Sequence, residues 1–255
     1  MTPEVLLALE LGAVAVIAGA VGSMLGIGGG IILVPVFIAL LGIDAQVARS
    51  ASLVAVCVTS LAGSLVYLKE GVVDIERGAT LQLPTVAGAI IGAVVGSAID
   101  PIVMQLLFAL LVLAIGFKMF AKDVKSTPPT QRDIGLSIAG CILGGFVSSL
   151  LGVGGGVFFV PILALLIGLP QRTAAATSTF LIGLTAATSA IIYFRQGQMD
   201  LDVSIPAALG ILLGAQLGAR ISGKVSDLFL RRMFAVVKIV TAGLLLKGVI
   251  THWLS

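Results

Sequence analysis

Charge is scarce in this chain. Asp, Glu, Lys and Arg make up 11% of its 255 residues, against about a quarter in an ordinary soluble domain. No segment has the polar surface that a separate water-exposed domain requires. Histidine occurs once, as His252 near the C-terminus, and no cluster of carboxylates stands inside an apolar run. A chelated metal cation is therefore not expected. The two cysteines, Cys57 and Cys141, both lie within apolar stretches and do not correspond in the duplication described below, which argues for packing and against a disulfide or metal pair. The net charge of +3 comes from basic residues spread over short loops, not from a patch that would hold nucleic acid. The start, Met1-Thr2-Pro3-Glu4, lacks a basic n-region and a small-residue cleavage site, so the first apolar run is expected to remain as a span. An intramembrane hydrolase would need a nucleophile with a base, and the spans hold neither a histidine nor an Asp pair.

What the chain has in abundance is apolar sequence: 58% hydrophobic residues and a mean hydropathy of +1.19. A bilayer-crossing helix needs about 20 apolar residues, and runs of roughly that length recur throughout. The runs do not alternate, which excludes a barrel and leaves helices as the spanning element. The chain is expected to be an all-α polytopic membrane protein whose main partner is the lipid bilayer.

One phrase occurs twice. Gly26-Ile27-Gly28-Gly29-Gly30-Ile31-Ile32-Leu33-Val34-Pro35 is matched by Gly152-Val153-Gly154-Gly155-Gly156-Val157-Phe158-Phe159-Val160-Pro161, an offset of 126 positions. The offset persists without a gap: Ser52 with Ser178, Thr59 with Thr185, Tyr67 with Tyr193, Asp74 with Asp200, Gly88 with Gly214 and Gly92 with Gly218. The protein is a duplication, with a first repeat at residues 1–121, a linker at 122–133 that contains Pro128-Pro129, and a second repeat at 134–255.

Apolar runs cover roughly 5–25, 31–48, 50–68, 79–99 and 102–121, then 134–151, 157–174, 176–194, 203–221 and 231–250. Counting 31–48 as a crossing puts Lys69, Arg77, Lys118, Lys122, Lys125, Arg132, Arg172, Arg220, Lys224, Arg231 and Arg232 on one side. Only Arg49, Arg195 and Lys247 fall on the other. That is a clear positive-inside bias with both termini outside, and it favours five spans per half. An odd number inserts the halves in opposite orientations, an inverted-topology repeat of the kind many secondary transporters use. The run at 31–48 is short, however, and reading it as a re-entrant half-helix gives eight spans instead of ten.

A turn made of glycine and aliphatic residues is unsuited to water, and its loosened backbone cannot face lipid, so it must be buried or line a cavity. Glycine allows backbone geometries closed to other residues, and Pro35 and Pro161 each remove a helical amide. Free amides at a helix N-terminus attract an anion without a basic side chain. Two such turns brought together would form a small anion site from Gly28, Gly29, Gly30, Pro35, Gly154, Gly155, Gly156 and Pro161. Packing hairpins are the plainer alternative, and a phosphate-loop reading fails because no strand precedes the glycines and no P-loop lysine follows.

Hydroxyls at matching places, Ser52 with Ser178 and Thr59 with Thr185, are candidates to line the same site. Ser50, Ser60, Thr177 and Thr179 lie nearby. The alternative is that they bond within their own helix or join neighbouring helices. Tyr67 and Tyr193, beside Lys69 and Arg195, read as interfacial belt residues. Glu10, Lys238 and Arg220 are ionisable groups within or at the end of spans, and Glu10 is the candidate carrier of a coupling proton. The ladders Gly88, Gly92, Gly96 and Gly210, Gly214, Gly218 suit helix packing within or between chains, so the oligomeric state stays open. Gln82 and Gln216 could line a path.

The doubled G-x-G-G-G-x-x-x-V-P phrase, in two halves of an all-helical chain of this length, resembles the TauE/SafE sulfite exporter family over essentially the whole sequence. The resemblance implies about eight spans in a cell membrane and a small anionic substrate, sulfite or an organosulfonate such as sulfoacetate. Together with the residues it leads to a secondary carrier working by alternating access, neither an enzyme nor cofactor-dependent, with a proton or a sodium ion as the candidate coupling partner. An anion channel or a non-transporting scaffold is the alternative, and the duplication, which builds an internal site, stands against the scaffold.

Overall fold

The computed structural model describes residues 3–96 and 130–237, with 243. The linker at 122–129, the apolar run at 102–121, Lys118, Lys122, Lys125, Lys238, Lys247 and His252 lie outside the described residues. The described residues are helical without strands. Helix α1 is Pro3–Leu25, α2 Gly30–Ala39, α3 Ala45–Lys69 and α4 Ile75–Val95. The second half follows as α5 Gln131–Leu151, α6 Gly156–Pro161 continued by a π-helical turn Ile162–Leu166, α7 Gln171–Arg195, α8 Leu201–Ser222 and α9 at 227–237.

Local chemistry sets these boundaries. Asp44 starts α3 by accepting from the amides of Gln46 at 2.8 Å and Val47 at 3.4 Å. The duplicated Asp74 and Asp200 cap α4 and α8. Thr130 and Asp133 form a capping box at α5. Gly26 and Gly152, with φ of 74° and 72°, close α1 and α5 in the left-handed conformation glycine favours.

Six helices, α1, α3, α4, α5, α7 and α8, are long and apolar enough to cross a bilayer. Helix α2 is not. Its 10 residues rise about 15 Å, half of a hydrocarbon core of about 30 Å. The run at 31–48 is therefore a half-helix and a loop, not the full crossing that charge counting favoured. The chain nevertheless returns to its starting end, because the first turns of α1 and α3 both adjoin the start of α8. Leu7 and Ala8 share one depression with Asp200–Val203, and Asp44 and Gln46 share another with Gly197–Asp202. The sorting of basic residues survives for the same reason. Arg49 and Arg195 lie at this end, and Lys69, Arg77, Arg172 and Lys224 at the other, where Arg172 pairs with Glu70 and its amide donates to Asp227.

The glycine ladders pack one half on the other. In α8, a Cβ on Gly210, Gly214 or Gly218 would overlap the carbonyls of Gly12, Val16 and Ala20 in α1. In α4, a Cβ on Gly88 or Gly92 would overlap the carbonyls of Ile142 and Phe146 in α5. Both pairs run parallel with backbones in direct contact, the arrangement small residues permit in membranes. The first helix of each half thus rests on the fourth helix of the other. Leucines such as Leu61 and Leu83 point outward, and Cys57 and Cys141 are separate free thiols.

Candidate functional site

The two glycine turns meet inside the bundle, and every residue of Gly22–Ile31 and Leu151–Pro161 is buried. Gly28, Gly29, Gly154 and Gly155 all have φ between 76° and 84°, so each chain reverses through a conformation that side chains disfavour. Helices α2 and α6 begin at Gly30 and Gly156 with no side chain capping either N-terminus.

The turns cross in contact. A Cβ on Gly30 would lie 3.0 Å from Gly152 O and 3.0 Å from Val153 Cα, and one on Gly156 would overlap Gly26 O. Two matched serines clamp this crossing. Ser52 Oγ in α3 donates to Gly152 O at 2.7 Å, and Ser178 Oγ in α7 donates to Gly26 O at 2.7 Å. Each serine therefore holds the turn of the opposite half.

Thr59 Oγ1 donates to Gly28 O at 3.0 Å, within its own half. Its counterpart Thr185 behaves differently, bonding Leu181 O at 3.1 Å and Thr85 Oγ1 at 3.3 Å. Ser60 reaches Thr179 O at 2.6 Å, and Thr179 bonds back to Ala175 O. Pro35 lies inside α2, while Pro161 ends α6 where the π turn starts, as expected when a helical amide is missing.

Tyr67 and Tyr193 are not belt residues. They are buried, and their phenols donate to Ser23 O and Ser149 O, tying the ends of α1 and α5 just before the glycine turns. Glu10 and Arg220 are exposed, away from the crossing. Gln82 donates to Leu181 O at 3.2 Å, and Gln216 is half-buried beside the α1 contact.

Arg49 stands at the end that charge counting gives it, but inside α3 and buried instead of in a loop. It is 7% exposed, and its Cα lies 2.6 Å from the point a Gly152 Cβ would occupy. The available signal was its spacing: position 49 lies on the same helical face as Ser52. Two serine hydroxyls near the turns lack partners among the described residues: Ser148 Oγ, 3.3 Å from the place of a Gly155 Cβ, and Ser23 Oγ.

Membrane-length helices packed around two buried, crossed half-helix turns define a multi-pass membrane protein with an internal, duplicated centre. The chain belongs to the sulfite exporter TauE/SafE family, whose model matches residues 11–245. It is 29% identical over 212 residues to the probable membrane transporter protein YunE of Bacillus subtilis, covering 72% of this chain and 77% of that one. It is 28% identical over 238 residues to the probable membrane transporter protein MJ0441 of Methanocaldococcus jannaschii, covering 87% and 88%. A probable membrane transporter protein of Xylella fastidiosa is 26% identical over 235 residues, covering 88% and 90%. No solved structure matches. The protein is a membrane transporter of a small-molecule substrate.

Proposed function

We propose that the protein is a secondary carrier of small sulfur-containing anions, sulfite or an organosulfonate such as sulfoacetate, and that the substrate binds between the crossed glycine turns. The two repeats, 1–121 and 134–255, insert in opposite orientations in the cytoplasmic membrane and rock against each other, opening the crossing to one side and then the other. The observation that carries this reading is the exchanged pair of bonds, Ser52 to Gly152 and Ser178 to Gly26, over two uncapped helix N-termini.

A serine hydroxyl has one donor hydrogen. In the closed crossing that hydrogen serves a glycine carbonyl. When the turns part, Ser52, Ser178 and Thr59 turn it to the oxyanion, together with the freed amides around Gly28–Gly30 and Gly154–Gly156. Thr185 lines the α7 side, and Pro35 and Pro161 each remove a helical amide and free a carbonyl. A proton or sodium ion supplies the coupling.

Uptake into proteoliposomes tests this. Saturable transport of sulfite or sulfoacetate with counterflow supports the carrier. Linear flux without counterflow indicates a channel, and absence of flux for every sulfur oxyanion overturns the reading.

A further inference from the structure

We infer that Arg49 is the residue that reads the negative charge of the substrate. This rests on the carrier reading above and names the cation that the glycine turns themselves lack.

Arg49 is more than nine-tenths buried, one turn inside α3. Its Nε donates to Ala45 O at 3.1 Å and its Nη1 to Leu150 O at 3.1 Å. Both acceptors are neutral, and a guanidinium carries five N–H donors. Among the described residues the ion pairs are Arg77 with Asp74 and Arg172 with Glu70, and none involves Arg49. Of the described acids on the helices at its end of the bundle, Asp44 caps α3, Asp200 caps α8 through the amide of Asp202, and Glu10 and Asp202 are exposed; none forms an ion pair with Arg49. A buried cation without a counter-charge is costly inside a membrane protein and marks a functional position.

The duplication supplies a control within the molecule. Arg49 packs its Cα against Gly152, and the matching contact in the other half is Ala175 against Gly26, also 2.6 Å from the place of a Cβ. Both junctions close with a serine to the crossed turn and a tyrosine to the preceding carbonyl. The junction with alanine shows that the fold closes without a cation there. The charge at position 49 is thus surplus to packing. It stands two residues from the turn whose carbonyl Ser52 holds, presenting a planar fork suited to two oxygens of a sulfite or sulfonate group.

The test measures sulfite affinity of the full-length detergent-solubilised protein and its KM in proteoliposomes, for wild type, R49Q and R49K. R49Q should weaken sulfite binding at least about tenfold, the scale of a lost charge-assisted hydrogen bond. The loss should appear in KM with Vmax within about twofold, and the melting temperature without anion should stay close to wild type. R49K keeps the charge but loses the fork, and should fall between the two. Wild-type affinity in R49Q overturns the role of Arg49 and leaves the carrier standing, whereas absence of sulfite or sulfonate binding by wild type overturns both. Where R49Q does not accumulate, R49K carries the test: a rise in KM alone supports the fork contact, and wild-type affinity overturns it.

Discussion

Tyr67 and Tyr193 stand in equivalent places, each phenol donating to the carbonyl of a serine 44 residues before it in its own half, at 2.9 Å and 3.0 Å. The agreement means that the duplicated sequence builds duplicated geometry down to single hydrogen bonds. Tyr67→Phe and Tyr193→Phe should therefore destabilise alike, by about 1 kcal/mol each. Thermal unfolding in detergent checks this, and a difference of several-fold between them would deny the equivalence.

Ser52→Ala and Ser178→Ala remove one clamp each from the same crossing. Each should cost about 1 kcal/mol, and the double variant should depart from additivity because the two bonds share one contact surface. A double-mutant cycle on melting temperatures reads the coupling, and simple additivity would mean that the turns respond independently.

The glycine turns are less tolerant than their composition suggests. A substitution abolishing binding in a folded protein would be the natural expectation for Gly29→Val or Gly155→Val, but both sites have φ of 83°, which costs a side chain roughly 1–2 kcal/mol. They also differ. A Cβ on Gly29 would lie 2.7 Å from the fixed carbonyl of Ala18, whereas one on Gly155 would meet the movable edge of the Phe159 ring at 2.5 Å. Gly29→Ala should reduce folded yield more than Gly155→Ala, as fluorescence-detected size exclusion would show.

Ladder glycines separate from ordinary ones in the same way. Gly214→Ala puts a methyl group into Val16 O and should disrupt the α1–α8 contact. Gly135, in α5, has nothing within 4 Å, and Gly135→Ala should raise stability by up to about 1 kcal/mol through helix propensity. Opposite signs in melting temperature are expected.

Much of this was legible in the sequence because the relevant signals are local or repetitive. Apolar runs gave helices, the offset gave the duplication, and glycine with a following proline gave interrupted helices. Half-helix α2 was harder, because Gly30–Ala39 and the loop after it are as apolar as a span and only length separates them. Partners distant in the sequence were not legible at all. Tyr67 beside Lys69 has the local signature of a belt residue, and only the fold brings Ser23 to its hydroxyl. Arg49 shares a helical face with Ser52, but its burial shows only once Gly152 is packed against it. The matched hydroxyls were visible, but not that Ser52 and Ser178 would trade halves while Thr185 would depart from Thr59.

Orientation has its own check. With Cys57 replaced by alanine, a membrane-impermeant maleimide applied to intact cells should label Asp202→Cys and spare Lys224→Cys if the positive-inside rule sets the orientation. The reverse pattern would invert the assignment.

The lodging of α1 against α8 has a consequence for how the chain is made. Helix α1 leaves the ribosome first, yet the glycines that receive its backbone begin in a helix that starts at Leu201. At ordinary elongation rates the wait between the two is roughly ten to thirty-five seconds. Through that interval α1 sits in lipid with its groove-filling face unclaimed, whereas α4 waits a much shorter time for α5. Completion of this contact is a late event, and a ribosome stalled before α8 leaves α1 without the helix it closes on.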